Sequence, residues 1–118
     1  NAEKVNWIVS DIRDFNPIRE YSVWHDRAVF HFLQEKKDVQ DYYKILLEGL
    51  KYQGRLILGT FSKDGPKRCC ALDVQRYSTG ELSDFFSNDF TTKKTLNTIH
   101  KTPFKTEQAF SFIELIKN

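Results

Sequence analysis

Hydrophobic residues fall along the chain in short runs, and several of these runs have the length and composition of strands. Residues 5–9 (VNWIV) and 21–24 (YSVW) are rich in β-branched and aromatic side chains, and each run ends at polar residues. Residues 55–61 (RLILGTF) are apolar at nearly every position and too few for a helix, which is typical of a central parallel strand buried on both faces.

Two segments have a helical pattern instead. From position 38 the apolar residues recur every three or four positions, which predicts one apolar helix face made by Val39, Tyr42, Tyr43, Leu46 and Leu50. Asp38 is the predicted N-cap of this helix and Gly54 its predicted stop. Ser78 and Glu81 have the S-x-x-E spacing of a capping box, which predicts a second, short helix with an apolar face of Leu82, Phe85 and Phe86. A short helical piece is also predicted over residues 29–33.

The last part of the chain predicts a hairpin. Residues 90–100 and 108–116 carry β-forming alternation and are joined by a turn around Thr102 and Pro103, so they should pair antiparallel. The element order is strand, strand, helix, strand, helix, strand, strand, which predicts a single α/β domain over 1–118 with a mostly parallel sheet covered on both faces. The connection over residues 62–77 is long and polar, and loops of this length are usually functional or mobile.

A charged break interrupts the apolar run that begins at Tyr21. His25, Asp26 and Arg27 follow the predicted strand 21–24 directly, at the carboxyl end where open α/β sheets bind ligands. The alternative is an ordinary strand-to-helix turn in which Asp26 is an N-cap and Arg27 is solvated. The residues of this stretch alone leave both interpretations open.

Composition and charge exclude several classes of function. Eighteen Lys and Arg against sixteen Asp and Glu give a net charge of +2, and the basic residues are scattered, so no nucleic acid partner is expected. No apolar stretch is long enough to cross a bilayer and no targeting segment is visible, so no membrane partner is expected. The spacing of His25, Asp26, His31 and His100 matches no metal motif, so we expect no metal.

The two cysteines indicate the redox compartment of the protein. Cys69 and Cys70 are neighbours, and a bond between them would close a tight, strained ring, which favours a reduced, cytoplasmic protein. A reactive role for Cys69 would need a lowered pKa that the sequence does not demonstrate.

Methionine is absent and the chain runs almost at once into an apolar segment, so it begins partway through a longer protein, or has lost an initiator or a tag.

Five ordered segments carry a resemblance to a known family. They are WIVSDIRDF from position 7, VWHDRAVFHFL from 23, GRLILGTFSKDGPKRC from 54, VQRYS from 74 and HKTPF from 100. Together they resemble the carboxyl-terminal two-thirds of a class I S-adenosylmethionine-dependent methyltransferase, in a bacterial branch with the wording WHDRAVFHFL and TFxxDGP. The resemblance implies a partial Rossmann-like sheet with flanking helices, in which residues 5–9 form the third strand, 21–24 the fourth, 55–60 the fifth and the hairpin the sixth and seventh.

The resemblance also implies a cofactor site. Asp11, after the third strand, would accept a hydrogen bond from the adenine amino group, and Ile12 would line the ring; a strand-end or turn role is the alternative for Asp11. The segment after the fourth strand would lie near the sulfonium end of the cofactor, and it contributes His25, Asp26, Arg27 and Ala28.

Catalytic and substrate roles follow from the same resemblance. Methyl transfer needs the acceptor and the methyl group held in line, and a base where the acceptor must lose a proton. His31 is the candidate base, with packing between Phe30 and Phe32 as the alternative. The connection 62–77 would overhang the acceptor pocket with four candidate contacts, Lys67, Arg68, Gln75 and Arg76, or it is an ordinary solvated loop.

One part of the family pattern is missing from these 118 residues. No glycine-rich strand-to-helix turn precedes Val5, and that turn supplies much of the cofactor pocket. We therefore expect S-adenosylmethionine to bind only when an amino-terminal half is supplied. In the family order 3-2-1-4-5-7-6 the fourth strand would be left as an open, apolar edge.

Three arrangements would satisfy that edge: the third strand moves across to pair with it, two chains pair or swap strands, or a separate amino-terminal half completes the sheet. We favour a homodimer or a rearranged sheet. Two functions stay open: the carboxyl-terminal part of a methyltransferase, inactive alone, and a non-catalytic truncated domain that self-associates or binds another partner.

Overall fold

The structure, a computed structural model, describes residues 8–118. Its strands and α-helices follow in the order β1 (Tyr21–Arg27), α1 (Lys36–Gly49), β2 (Leu50–Phe61), β3 (Arg68–Cys69), β4 (Leu72–Asp73), α2 (Thr79–Phe86), β5 (Phe90–Lys101) and β6 (Glu107–Lys117). Two short 3-10 turns, Ile12–Asp14 and Phe30–Phe32, flank β1 in the sequence. No helix among residues 8–118 has the length and apolar character needed to cross a membrane.

Four strands form one mixed sheet in the order β1-β2-β6-β5. β1 and β2 run parallel, whereas β6 is antiparallel to both β2 and β5. This order equals the 4-5-7-6 part of the expected sheet, so the partial Rossmann-like sheet and its carboxyl-terminal hairpin are confirmed. The sheet is not mostly parallel as predicted, because the final hairpin contributes two of its strands.

The predicted third strand over residues 5–9 falls mainly on residues 5–7, which lie outside the described residues. Ile8 and Val9, the last two residues of that prediction, are in neither a strand nor a helix.

The boundary between α1 and β2 corrects two predictions. Asp38 is not the N-cap, because α1 begins at Lys36; its carboxylate lies in the first turn, 3.3 Å from Nη1 of Arg13. Gly54 is not the stop, because α1 ends at Gly49 and the chain is already extended at Leu50. The pairing of β1 with β2 shifts between Tyr21 and Val23, so β2 contains an irregular stretch that the apolar pattern did not indicate.

β1 extends three residues beyond its predicted end. His25, Asp26 and Arg27 pair with Ile57, Leu58 and Gly59 of β2, so the charged break lies inside the strand and does not follow it. The pairing explains the difference, since backbone hydrogen bonding to β2 is independent of side-chain polarity. The predicted helical piece after this point is only the 3-10 turn Phe30–Phe32.

The core lies between the helices and one face of the sheet. Leu56, Leu58, Ile113 and Leu115 project from β2 and β6 and are almost fully buried against Tyr42, Leu46, Leu82 and Phe86 of the helices. On the other face, Val23 of β1 is 54% exposed and Leu96 of β5 is 59% exposed. This second face is covered only near the carboxyl end of β2, where Phe61 and Phe110 are buried with Val74 of the connection 62–77. Within residues 8–118 the expectation of two covered faces therefore holds only for that end of the sheet.

The second helix and the preceding loop have local explanations. Oγ of Ser78 accepts from the Glu81 amide and Oε1 of Glu81 accepts from the Ser78 amide, so the predicted capping box is confirmed. The connection 62–77 is not without structure, because β3 and β4 pair within it as a small hairpin.

Candidate functional site

Two adjoining cavities follow the outer edge of β1. The larger, about 380 Å³, is lined by Ile12, Trp24, His25, Asp26, Arg27, Val29 and Tyr42. The second, about 320 Å³, is lined by Ile8, Ser10, Ile12, Phe15, Tyr21, Val23, Trp24 and His25. Because they share Ile12, Trp24 and His25, they form one groove, which we call the β1 groove. Four of the six expected cofactor contacts, Ile12, His25, Asp26 and Arg27, line its larger cavity.

Asp26 is a buried carboxylate whose two oxygens both accept hydrogen bonds. Oδ1 accepts from the Val29 amide at 2.9 Å, and Oδ2 accepts from the Phe30 amide at 3.1 Å and from the Tyr42 hydroxyl at 2.5 Å. Burial raises the pKa of Asp26, against the opposing effect of the Tyr42 hydrogen bond. Asp26 is not the N-cap of the alternative interpretation, because it lies within β1 and Val29 is the N-cap of the turn Phe30–Phe32. Its contacts nevertheless shape the turn after β1, and Asp26 contributes to the groove as part of its wall.

His25 and Arg27 have a different environment from Asp26, because alternate residues of a strand point to opposite faces. Both are exposed, and the Arg27 guanidinium lies over the Phe110 ring of β6, with its carbon 5.3 Å from the ring centroid. Their donors are available to a ligand at the carboxyl end of β1.

Ala28 ends the strand by a change in backbone direction. Its φ of 66° is in the left-handed region, and its amide donates to the Gly59 carbonyl at 2.8 Å. Ala28 is not among the residues that line the groove, and its side chain packs near Phe61 and Phe110 instead. Its contact with the cofactor stays a prediction.

Asp11 and Ile12 lie at the start of the turn Ile12–Asp14. Asp11 is the N-cap of that turn, and its carboxylate accepts from the amide and the guanidinium of Arg13, with Nη2 at 2.7 Å. Hydrogen bonding from the Arg13 side chain lowers the pKa of Asp11 to about 2, so the carboxylate is ionised at neutral pH. Asp11 is exposed and does not line the groove, and its adenine contact stays a prediction.

His31 has no exposed surface. Its Nδ1 accepts from the Phe61 amide at 3.0 Å, and its buried Nε2 has no hydrogen-bond partner among the described residues. An accepting Nδ1 requires the neutral tautomer with the proton on Nε2. Burial lowers the pKa of His31 to about 4. This environment favours the packing alternative over the catalytic base, which stays a prediction.

The four candidate substrate contacts lie in the connection 62–77, and none of them lines the β1 groove. Arg68 donates to the Ala71 carbonyl at 2.6 Å, and Arg76 donates to the Lys63 carbonyl at 2.7 Å, so both side chains hold the loop together. Gln75 donates to the Gln34 side chain at 3.3 Å, and Lys67 is exposed. Their role in substrate binding stays a prediction.

Sequence reasoning missed three residues that line the larger cavity, Trp24, Val29 and Tyr42, of which Tyr42 has the clearest chemical role. The apolar spacing predicts only a place on the apolar face of α1 for Tyr42, and its hydroxyl is also the donor that reaches Asp26. The available signal was chemical: the hydroxyl of a buried tyrosine usually has a hydrogen-bond partner, and Asp26 is the nearby acidic residue in an otherwise apolar segment.

Comparison with solved structures identifies the architecture. A Burkholderia thailandensis 1,6-didemethyltoxoflavin-N1-methyltransferase with bound S-adenosylhomocysteine superposes with a TM-score of 0.73, at 16% identity, over 94% of this chain and 50% of that one. The chain has the methyltransferase fold. TehB from Haemophilus influenzae (TM-score 0.69, 19% identity, 94% of this chain and 40% of that one) and the N-methyltransferase NodS from Bradyrhizobium japonicum (0.69, 10%, 94% and 53%) agree with this fold.

Sequence comparison gives a shorter match. Malonyl-[acyl-carrier protein] O-methyltransferase 2 of Ilyobacter polytropus is 36% identical over 64 residues, which are 54% of this chain and 24% of that protein. No family model matches the chain. The chain thus spans about a quarter of this curated relative and half of the first solved structure, in agreement with its resemblance to a carboxyl-terminal portion of such enzymes.

Proposed function

We propose that this chain is the carboxyl-terminal part of an S-adenosylmethionine-dependent methyltransferase that becomes active when an amino-terminal, cofactor-binding half is present. The observation that carries the proposal is the β1 groove, in which Ile12, His25, Asp26 and Arg27 line one cavity at the edge of a methyltransferase-like sheet. The bound S-adenosylhomocysteine of the Burkholderia structure supports the choice of cofactor.

In this proposal each groove residue has a physical role. Ile12 provides apolar surface for the adenine ring, and the exposed donors of His25 and Arg27 orient the methionine end or the acceptor. Asp26 acts indirectly, because its hydrogen bonds to Val29 and Phe30 fix the turn that carries the chain away from the groove. The transfer itself requires the methyl group and the acceptor atom to be held in line.

The acceptor in this proposal is a small molecule or a protein side chain. It would approach through the connection 62–77, where Lys67, Arg68, Gln75 and Arg76 are the candidate contacts. The reduced cysteines of this connection fit a protein of the cytoplasm, where disulfides are rare.

Calorimetric titration with S-adenosylmethionine tests the proposal. We expect no measurable heat of binding to the 118-residue chain and saturable one-to-one binding to a longer polypeptide that joins it to a methyltransferase amino-terminal half. Tight binding by the 118-residue chain would contradict the need for that half, and no binding by the longer polypeptide would contradict the function.

In the same titration, a matched pair of variants tests whether the cofactor binds in the β1 groove. Ile12→Glu places a carboxylate in the β1 groove and should weaken binding to the longer polypeptide by at least tenfold, about 1.4 kcal/mol. Ile18→Glu is the control, because Ile18 is 79% exposed and does not line the groove. Equal effects of the two variants would count against the groove.

A second candidate function is a non-catalytic domain that self-associates through β1. The two edges of the sheet differ in charge. β5 carries Lys93, Lys94 and Lys101, which oppose edge-to-edge pairing, whereas residues 21–24 of β1 carry no charged side chain and include the 54% exposed Val23. The partner in this case is a second copy of the chain, and in the first proposal it is a separate or preceding amino-terminal half.

Light scattering after gel filtration distinguishes the candidates. Self-association through β1 predicts a dimer that Val23→Lys converts to a monomer, whereas Ile99→Lys on β5, where Ile99 is 58% exposed, leaves the dimer intact. A wild-type chain that stays monomeric over the whole accessible concentration range would remove this candidate.

A further inference from the structure

The connection 62–77 contains a pair of thiols that the proposed methyl transfer does not use. Cys69 is the last residue of β3 and Cys70 begins the turn to β4, and both are free. Their Sγ atoms lie 3.8 Å apart. The pair is therefore a vicinal dithiol at the tip of a small hairpin.

The hairpin backbone holds the two sulfur atoms side by side. Cys70 and Ala71 both have left-handed backbones, with φ of 54° and 64°, which sharpens the turn between β3 and β4. Arg68 fastens the turn, since its Nη2 donates to the Ala71 carbonyl at 2.6 Å and its Nε lies 3.3 Å from the Asp73 carboxylate. Such an arrangement reduces the freedom that the two thiols would lose on binding a common ligand.

The separation of the sulfur atoms suits a shared ligand atom better than a direct bond. A disulfide requires about 2.05 Å between sulfurs. One atom bonded to both sulfurs at about 2.3 Å holds them about 3.3 Å apart at the near-90° angle of pyramidal trivalent arsenic and about 3.8 Å apart at a tetrahedral angle. The observed distance of 3.8 Å lies at the upper end of this range and far from the disulfide distance.

The number of ligand side chains near the two thiols limits which kind of centre they can bind. Residues 8–118 contain no group of three or more His, Cys, Asp or Glu side chains that could hold a metal ion, whereas structural zinc requires four ligands. A trivalent arsenic atom with one organic substituent has two positions left for sulfur, which is the number that the hairpin offers.

We propose that Cys69 and Cys70 form a bidentate binding site for organic trivalent arsenicals and similar thiophilic centres with two open positions. In the reaction with an arsine oxide, two As–S bonds form, the arsenic–oxygen bond breaks, and the oxygen leaves as water with both thiol protons. Arsenic stays trivalent, so the step requires no oxidant or reductant.

The two thiols differ in solvent exposure and therefore in reactivity. Cys70 is exposed and offers the first point of attack, whereas Cys69 is half-buried and packs near Phe61, Val74 and Phe110. Burial raises the pKa of Cys69, so it is largely a neutral thiol at pH 7. Because both protons leave with the water, the ligand captures neutral thiols, and the ring that it closes spans only the two adjacent residues Cys69 and Cys70.

Titration with phenylarsine oxide tests the site. The chain is reduced, freed of reductant under anaerobic conditions and titrated, with free thiols counted by a colorimetric disulfide reagent and the complex weighed by intact mass spectrometry. We expect one arsenical per chain, loss of both thiols, and release by 2,3-dimercaptopropanol. Cys69→Ser and Cys70→Ser should each weaken binding by about 100-fold, because the second bond is no longer intramolecular.

The two single variants distinguish loss of the binding site from loss of folding. Circular dichroism melting establishes that each is folded, and Cys70→Ser changes an exposed side chain, so a loss of binding there is not a folding defect. Binding by both single variants as tightly as by the wild-type chain, or a wild-type chain that keeps two free thiols at saturating arsenical, would overturn the proposal.

Discussion

Asp26 shows how one side chain links the sheet, a turn and a helix. It projects from β1, accepts from the Val29 and Phe30 amides at the start of the turn Phe30–Phe32, and accepts from Tyr42 on α1. All of its hydrogen-bond partners are donors, so an amide at this position would direct its NH2 group at a donor that it cannot pair with.

Asp26→Asn is therefore expected to destabilise the chain by about 1 to 3 kcal/mol. Urea denaturation measures the difference. Asp41→Asn is the matched control, because Asp41 forms an i, i+4 ion pair with Lys37 at the surface and its loss should cost about 0.5 kcal/mol or less. Similar losses for the two variants would show that the buried contacts of Asp26 contribute little.

His31 predicts a dependence of stability on pH. Its pKa falls from 6.5 to about 4 on folding because of burial. Between these values the unfolded chain binds the proton more strongly, so the contribution of His31 to stability is present above pH 6.5 and is lost as the pH falls toward 4. We expect a loss of about 1 to 3 kcal/mol from this source.

Comparison with His31→Asn isolates the effect, because asparagine keeps an acceptor for the Phe61 amide and does not titrate. The wild-type chain should lose more stability than this variant between pH 6.5 and 4 in urea melts. Parallel curves for the wild-type chain and His31→Asn would contradict the proposed cause.

Residue-level reasoning predicted the contacts of Asp26 better than those of His31. The acceptor role of Asp26 in the turn after β1 needed only the sequence that follows it, since its amide partners lie three and four residues ahead. The acceptor role of His31 depends on the Phe61 amide of β2, a partner that only the folded chain brings near.

At the scale of elements, the glycines of β2 and α2 meet opposite surroundings. Gly59 lies under the ring of Phe112 on the neighbouring strand, and a Cβ there would clash with the ring. Gly80 lies in the first turn of α2, where the nearest atom to an added Cβ is Oγ of Ser78 at 3.9 Å. The same substitution should therefore have opposite effects at the two positions.

We expect Gly59→Ala to destabilise the chain by about 1 to 3 kcal/mol, since Phe112 must move. Gly80→Ala should stabilise it by about 0.5 kcal/mol, because alanine has the higher helix propensity and meets open space. Thermal melting of the two variants measures both effects. Stabilisation by Gly59→Ala would mean that Phe112 does not lie across β2 in solution.

The elements themselves were predictable where their signals are local. The capping box of α2 involves residues three apart, and the hairpin of β5 and β6 is adjacent in sequence, so both follow from short segments. The ends of β1 and β2 were missed because they are set by pairing between strands, which the polar residues His25 and Arg27 and the irregular stretch before Arg55 do not reveal. The β1 groove joins Ile12 to residues of β1, so the role of Ile12 was predictable only through the family resemblance, whereas the charged break also indicated His25, Asp26 and Arg27.

At the scale of the whole molecule, the described part of the chain is a sheet with one face packed against helices, a second face covered only near Phe61 and Phe110, and one strand edge unprotected. Val23 and Leu96 leave apolar surface on the open face, and β1 pairs with β2 on one side only among residues 8–118. An edge strand directs alternate backbone amides outward, where they exchange with solvent.

Hydrogen exchange should reveal the difference between β1, which is paired on one side, and the strands in the middle of the sheet. For the monomeric chain, peptides from β1 should exchange faster than peptides from β6, which is paired on both sides. A covering partner, either an amino-terminal half or a second copy at higher concentration, should slow β1 and leave the lysine-bearing edge β5 unchanged. Equal protection of β1 and β6 in the monomer would contradict an unprotected edge.

The central position of β2 has a consequence for the order of folding. Leu58 pairs with Ile113, and β3, β4, α2 and β5 all lie between them in the sequence. Closing so long a loop costs entropy before the contact is gained, so this pairing should be a late and slow step. Until β6 pairs with β2, the apolar segment of β2 has only β1 as a neighbouring strand and can pair with other chains. Recovery on refolding should therefore fall as protein concentration rises, which makes dilution the first remedy for a poor yield.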